Sequence, residues 1–285
     1  MLAFLIPVKH PERSRSYVVV TDLLRTTLAS ILRQSVRPIG VYVVCNEVPS
    51  WAAGMREVKF IQVDFPPARA PSSAEDEYEW IYRDKGCKIA LALEHARRDG
   101  ATHVMPVDAD DFVSRRLAEH VSTHPDAAGW FFPTGILYSR LFKIAEIQRE
   151  FWSRCGTSHI VRTEFMPSTA SFGARPRQED IVACFDRWIL DHVFGDHVQW
   201  QRYFAELGHP LQPLPFPGAV WHTDTGENSS RAWWGPTRFG PVWGKTLTPQ
   251  LAEEFSIPVE RRSVGASIRL NAWRIRSLAG RMARS

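Results

Sequence analysis

No run of apolar residues in this chain approaches the roughly 20 that a bilayer-crossing helix needs. The opening segment, Met1 to Val8, lacks both a positively charged lead-in and a small-residue cleavage site, so it does not read as a secretory signal. Cysteine is scarce: Cys45, Cys87, Cys155 and Cys184 are widely spaced and form no CxxC pair. That argues against a disulfide framework or a zinc site and for reduced thiols in a cytoplasmic protein. Glycine is absent from Lys9 to Ser14, directly after the first apolar run. A glycine-rich phosphate loop of the kind that opens nucleotidyltransferases therefore has no place there. Acids are absent after Glu260, where seven arginines follow. Taking those seven from the net +4 leaves residues 1–260 at −3. Such a body lacks the positive face that nucleic acid demands, and no nucleic-acid partner is expected. Internal repeats and low-complexity segments are also missing.

What is there is the composition of a soluble globular protein, 44 % apolar and 23 % charged over 285 residues. That length buries a sizeable core as one large domain or two small ones. The first half alternates strand and helix signals, as in a mainly parallel α/β sheet. Strands are expected at Leu2–Val8, Ile39–Cys45, Val58–Phe65 and Ala101–Val107. Leu24, Leu28, Ile31 and Leu32 recur at helical spacing, and Val36-Arg37-Pro38 breaks that helix. Pro66 to Glu79, with three prolines and many acids and serines, reads as a mobile loop. Lys88 to Arg98 reads as a helix stopped by Asp99-Gly100. In the less regular second half, strands are expected at Trp130–Tyr138 and Gly156–Arg162, and helices at Ile181–Phe194 and Val198–Leu207. Thr248-Pro249 is a cap followed by proline at the first helical position.

Asp108-Ala109-Asp110-Asp111 sits at the carboxyl end of the fourth expected strand, where ligands collect in open α/β sheets. Three carboxylates in four residues repel one another unless positive charge lies between them. A hard divalent cation that shares its remaining positions with a diphosphate supplies that charge. The plainer alternative is that Asp110 or Asp111 caps the helix expected to begin near Phe112.

An ordered set of segments over residues 1–135 resembles the GT-A glycosyltransferases, particularly family 2. The matching segments are Ile6-Pro7-Val8-Lys9, Leu28 to Ser35, Val41 to Asn46, Lys85 to Ala90 and Val107 to Asp111. The resemblance implies a GT-A (nucleotide-diphospho-sugar transferase) fold, with a mainly parallel central sheet flanked by helices. It further implies a UDP- or GDP-sugar donor and Mn²⁺ or Mg²⁺. On it, Asp108 contacts the ribose or a metal-bound water, Asp110 ligates the metal, and Asp111 is a supporting carboxylate or a cap. Pro7 and Val8 line the base pocket, and Asn46 touches base or ribose where many family members carry aspartate. Asp64 is a further candidate for that pocket. Lys85 and Lys88 approach the diphosphate, where cations offset leaving-group charge; the alternative is a solvated helix start.

Attack by an acceptor hydroxyl needs a carboxylate to take its proton. Family members carry Glu-Asp at a helix start for this. Here the nearest match is Gly195-Asp196-His197, so Asp196 is the candidate base, with a helix cap as the alternative and Asp191 as the spare acid. His222 resembles the late histidine that completes the metal shell, a reasonable partner for Mn²⁺ beside carboxylate oxygens. Trp221, Trp233, Trp234 and Trp243 cluster late in the chain, and Trp221, Trp233 and Trp234 are candidates for stacking on a carbohydrate or lipid-linked acceptor. Core packing would explain any one of them equally well.

Val264, Ile268, Ala272, Ile275, Ala279 and Met282 recur at helical spacing among the arginines of the tail. This is the composition of a helix that lies on an anionic membrane surface or docks on a partner or on the domain. The expected organisation is a GT-A domain over 1–245 and a C-terminal helical extension over 246–285. The domain divides into a nucleotide-binding half, 1–135, and an acceptor half, 136–245. The expected activity is metal-dependent, inverting sugar transfer by a cytoplasmic protein, peripheral at the inner membrane face. The alternative is an inactive GT-A scaffold that binds nucleotide sugar or glycan.

Overall fold

The computed structural model describes residues 1–67, 74–168, 173, 175–228, 244–259 and 263–271. Its larger sheet contains β1 (Leu2–Pro7), β2 (Ile39–Cys45), β3 (Lys59–Gln62), β4 (His103–Pro106), β6 (Gly129–Phe131), β9 (His159–Arg162) and β10 (Gln212–Pro213). The smaller sheet contains β5 (Phe112–Val113), β7 (Thr134–Ser139), β8 (Ile144–Arg149), β11 (Ala219–Thr223) and β12 (Lys245–Thr246). Strand order is β10-β6-β9-β4-β1-β2-β3 in the first and β12-β8-β7-β11-β5 in the second.

β1, β2, β3 and β4 run parallel, and β9 is antiparallel to both its neighbours. Side chains alternate across the sheet, and each face has its own helix. Leu2, Phe4, Ile6, Val41 and Val43 join Leu24, Leu28 and Ile31 of α1 (Tyr17–Ile31) in one core. Ala3, Leu5, Tyr42 and Val44 join Cys87, Leu91 and Ala96 of α2 (Ala74–Arg98) in another. Burial on both faces is why these strands are continuously apolar instead of alternating. The expected α/β architecture, a mainly parallel central sheet flanked by helices, is the one observed.

From β1 the chain goes first to β2 on one side and later to β4 on the other. The carboxyl ends of β1 and β4 therefore flank the switch point of the sheet, where an open crevice forms. Leaving β4, the chain passes through Asp108–Asp111 and enters β5 of the smaller sheet. The acids thus lie on the joint between the two sheets.

Several boundaries differ from expectation. The strand expected over 130–138 is two strands in different sheets, split at Phe132-Pro133, where proline has no N–H for a ladder. The loop expected over 66–79 already turns helical at Ala74, because acids are favourable in a first helical turn. The helix expected over 181–194 is α4 (Gln178–Val182) followed, after a break, by a π-helical turn, Ile189–Phe194. α3 is Leu117–Thr123 and α5 is Trp200–Glu206.

α6 (Pro249–Phe255) starts as expected, with the Thr248 hydroxyl accepting from the Leu251 N–H. Its Phe255, with Ile257, is buried against Phe112, Ile136, Tyr138 and Val220, so this segment is built into the smaller sheet's core. Residues 264–271 are helical. Their Leu270 packs on Phe142 and Ile144, while Val264 and Ile268 face solvent at 77 % and 65 % exposure. Of the tail face singled out by periodicity, Val264 and Ile268 therefore do not dock. Trp233, Trp234, Trp243 and residues 272–285 lie outside the described residues. No helix among the described residues is long and apolar enough to cross a membrane.

Candidate active site

The Lys85 ammonium donates to Asp108 Oδ1 at 2.6 Å, and the Asp108 N–H donates to Thr157 Oγ1. Gly156 lets this pair form. A Cβ there would lie 2.6 Å from Asp108 Oδ2 and 2.8 Å from Lys85 Nζ. Burial alone would raise the Asp108 carboxyl, but the adjacent Lys85 outweighs it and holds it below its ordinary value. Lys85 is raised in turn, its pairing with Asp108 overcoming burial.

Among the described residues no cation is paired with Asp110 or Asp111, and Lys85 only partly offsets the rise at Asp110. Burial, then the charges of Asp111 and Asp108, push Asp110 well above the ordinary carboxylate range. Burial and Asp108 push Asp111 up to about 7, although it accepts from Thr157 Oγ1, Cys155 Sγ and the His222 N–H. These three donors bind Asp111 to two neighbouring segments, so it braces the joint between the sheets. Asp110 Oδ2 accepts from Asn228 Nδ2 at 2.8 Å.

His222, on β11, stacks between Phe112 and Tyr138, and its Nδ1 lies 3.0 Å from the Asp110 carbonyl. A carbonyl only accepts, so Nδ1 carries the proton and the lone pair is on Nε2. That is the tautomer of a metal-ligating imidazole. No three His, Cys, Asp or Glu side chains among the described residues converge into a metal cage. A Mg²⁺-type ion needs none. It takes one or two carboxylates and completes its shell with phosphate and water. Crowded carboxylate oxygens that resist ionisation, beside an imidazole of this tautomer, fit a hard divalent cation.

Across the crevice, the π-helical turn ends where the Gly195 N–H donates to the Leu190 carbonyl. Such turns often mark functional sites. The turn is pressed against α2. A Cβ on Gly195 would lie 2.4 Å from the Tyr82 carbonyl oxygen, and one on Gly86 2.3 Å from that of Leu190. This contact requires glycine at 195, since no side chain fits there. It also brings Asp196 and His197 to one small cavity with Lys85, Gly156, His159 and Trp200. Asp196 Oδ1 accepts from the N–H groups of His197 and Val198 in the turn before α5, whose cap position is Gln199, so Asp196 does not cap that helix. Asp196 also adds to the field that raises Lys85. Burial depresses the His197 imidazole to about 4, against the pull of Asp196.

The remaining candidates divide. Lys88 is a correction: it is fully buried, donating to the Val8 carbonyl and to Asp84, and ties α2 to the end of β1 instead of facing the crevice. Val8 is buried, with its N–H bound to the Val44 carbonyl, and Pro7 ends β1 beside it. Asn46 donates through Nδ2 to the Phe65 carbonyl, close to the exposed Asp64. Asp191 is taken by Arg83 and Arg187, which removes it as a spare base. Trp221 is half-buried against the core of the larger sheet.

Sequence reasoning missed Gly156, Thr157, Glu227 and Asn228. An isolated glycine at the start of a strand pattern signals close backbone approach and could have flagged Gly156. Nothing local marks the others, whose partners lie far away along the chain.

No protein-family model matches the sequence, and no curated protein does. Among solved structures, residues 1–349 of S. aureus TarS, in complex with UDP-GlcNAc, match at 11 % identity and TM-score 0.40, covering 78 % of this chain and 58 % of that one. The 4-diphosphocytidyl-2C-methyl-D-erythritol synthase of Anaerococcus prevotii matches at 10 % and 0.38, covering 80 % and 89 %. Rv0371c of Mycobacterium tuberculosis, complexed with manganese, matches at 10 % and 0.35, covering 77 % and 89 %. This chain thus spans only 58 % of the length of that TarS chain.

Proposed function

We propose that this protein is a metal-dependent glycosyltransferase that moves a sugar from a UDP- or GDP-sugar to a hydroxyl acceptor with inversion. The observation that carries the proposal is the Lys85–Asp108 pair after the end of β4, with Asp110 two residues on and Asp196 sharing a small cavity with Lys85. Bound divalent cation, Mn²⁺ or Mg²⁺, would neutralise the diphosphate and polarise its bond to the sugar. Asp110 and His222 would hold that cation, and Asp108 the ribose or a water on the metal. Pro7, Val8, Asn46 and Asp64 would border the nucleoside. Lys85 would move from Asp108 towards the leaving diphosphate, offsetting the charge that develops there. Asp196 would take the acceptor's proton through Oδ2, the oxygen that does not accept from the His197 and Val198 N–H groups. The acceptor oxygen bonds to the anomeric carbon as the bond to the phosphate oxygen breaks, and the electron pair leaves with the nucleoside diphosphate.

Asp110→Ala should abolish nucleoside diphosphate release and metal-dependent donor binding, and Asp196→Asn should abolish transfer while leaving donor binding. Unchanged turnover in either variant rules out that residue's role. The engagement of Asp196 Oδ1 by two backbone N–H groups favours one second reading, a nucleotide-sugar or glycan-binding module. Donor binding with no diphosphate release, with acceptors supplied, would select it. The acceptor would be a carbohydrate or a lipid-linked one. The outward Val264–Ile268 face and the arginines beyond it support peripheral contact with the inner membrane face of a cytoplasmic protein.

A further inference from the structure

The turn 225–228 carries two side chains that reach different distant segments of the chain, and neither belongs to a recognisable motif. Glu227 is buried. It accepts from the Ser16 N–H at 2.8 Å, from the Arg15 N–H at 3.1 Å and from the Lys9 ammonium at 3.1 Å. This bolts the turn to the segment that joins β1 to α1. Gly226, at φ +89°, makes the reversal possible. Asn228 points the other way. Its Oδ1 accepts from the Thr225 N–H and hydroxyl, and its Nδ2 donates to the His222 carbonyl and to Asp110 Oδ2, both at 2.8 Å. A backbone N–H only donates and a carbonyl only accepts, so the amide cannot be flipped. Asn228 must therefore present an N–H to Asp110, and the Glu227 anchor keeps it there.

We infer that Asn228 is a positioning residue for Asp110: by holding Oδ2 it fixes the rotation of the carboxylate that is offered to a divalent cation. This rests on the metal site of the proposed function. It adds that the order of that site is set by a residue from the far end of the domain, tied at once to the segment that joins β1 to α1. A partner that orients a metal ligand typically accounts for about 10–100-fold in metal affinity.

The test is direct Mn²⁺ binding, followed by electron paramagnetic resonance of the free ion, on the full chain without donor or acceptor. Wild type, Asp110→Asn, Asn228→Leu, Asn228→Ala and Thr225→Val are compared after their melting temperatures confirm folding. Leu keeps the bulk of the side chain, and Ala serves if Leu disturbs the fold. Thr225→Val removes two hydrogen bonds of the turn, to Asn228 Oδ1 and from the Glu227 N–H, and leaves the Asn228 donor in place. The expected result is a Kd about 10–100-fold weaker for the Asn228 variants, with Thr225→Val close to wild type. Asn228 variants that bind as wild type does would overturn the inference and leave the metal site standing. Equal weakening by Thr225→Val and Asn228→Leu would overturn it as well, reducing Asn228 to a turn stabiliser. Wild-type affinity in Asp110→Asn would remove the metal site itself.

Discussion

Gly195→Ala is the sharpest perturbation of the crevice, because it adds a single methyl group where α2 meets the π-helical turn. The new Cβ would lie 2.4 Å from the Tyr82 carbonyl oxygen and 2.8 Å from its carbonyl carbon and Cβ. Reaching ordinary contact, near 3.4 Å, requires an opening of about 1 Å. The atoms in the way are mostly backbone, so no side-chain rotation relieves the clash. Overpacking of this kind costs about 1–3 kcal/mol. At roughly 2–4 °C per kcal/mol for a chain of this size class, the melting temperature should fall by about 2–12 °C. The same opening draws Asp196 away from Lys85 and Asp108, and a 1 Å misplacement can cost about 100-fold in turnover. Differential scanning fluorimetry and nucleoside diphosphate release measure the two effects on one sample. Gly195→Glu, which would complete the family's acidic pair, should be worse than Gly195→Ala. A Gly195→Glu enzyme as stable and as active as wild type would refute this account of the helix contact.

Lys88→Met removes a wholly buried ammonium from Asp84 and the Val8 carbonyl, and equilibrium unfolding should show a loss of about 3–5 kcal/mol. Asp110 is raised above its ordinary value of 3.8, so its ionisation penalises the fold. That penalty is full above the folded value and disappears as pH falls through the unfolded one. Metal-free Asp110→Asn should accordingly melt higher than wild type at neutral pH, with the gap closing towards pH 3.8, as read from melting curves across pH. Glu227 behaves oppositely. Burial would raise it, but the N–H groups of Ser16 and Arg15 and the Lys9 ammonium hold it below its ordinary value of 4.5. Its contribution is present above 4.5 and lost as pH falls through the folded value, so the stability deficit of Glu227→Gln should shrink in acid. Deleting residues 272–285 removes Arg274, Arg276, Arg281 and Arg284, each contributing about 1 kcal/mol near an anionic surface. Sedimentation with phosphatidylserine vesicles should fall sharply at low salt, and equal sedimentation of both proteins would rule out tail-mediated binding.

The parts of this fold that were legible in the sequence are those whose signals are local. β2 was expected at Ile39–Cys45 and lies there, because an apolar run bounded by Pro38 and Asn46 has one economical reading. Thr248-Pro249 announced α6 through cap chemistry alone. Asp108 to Asp111 could be placed at a strand end because the acids interrupt an apolar stretch. What was illegible depends on distant partners. Lys88 reads as an exposed helix lysine until Val8 and Asp84 are seen to enclose its ammonium. Gly195 reads as a missing glutamate until Tyr82 is seen to occupy the space. Val264 and Ile268 share a helical period, yet Leu270 is the side chain that docks, and periodicity does not say which neighbour a face meets. The 225–228 turn carries no local motif, since its meaning lies in Ser16, Lys9 and Asp110.

The proposed role of Asp110, after the end of β4, is to hold a doubly charged ion that in turn holds a diphosphate. A thermal-shift comparison of UDP, GDP and their sugar conjugates, with and without Mn²⁺, tests this most directly, because a ligand that binds only the native state raises its melting temperature. The account requires a rise with at least one nucleotide that depends on Mn²⁺ and disappears in Asp110→Ala. No rise with any of them, or a rise indifferent to both the metal and Asp110, would contradict it.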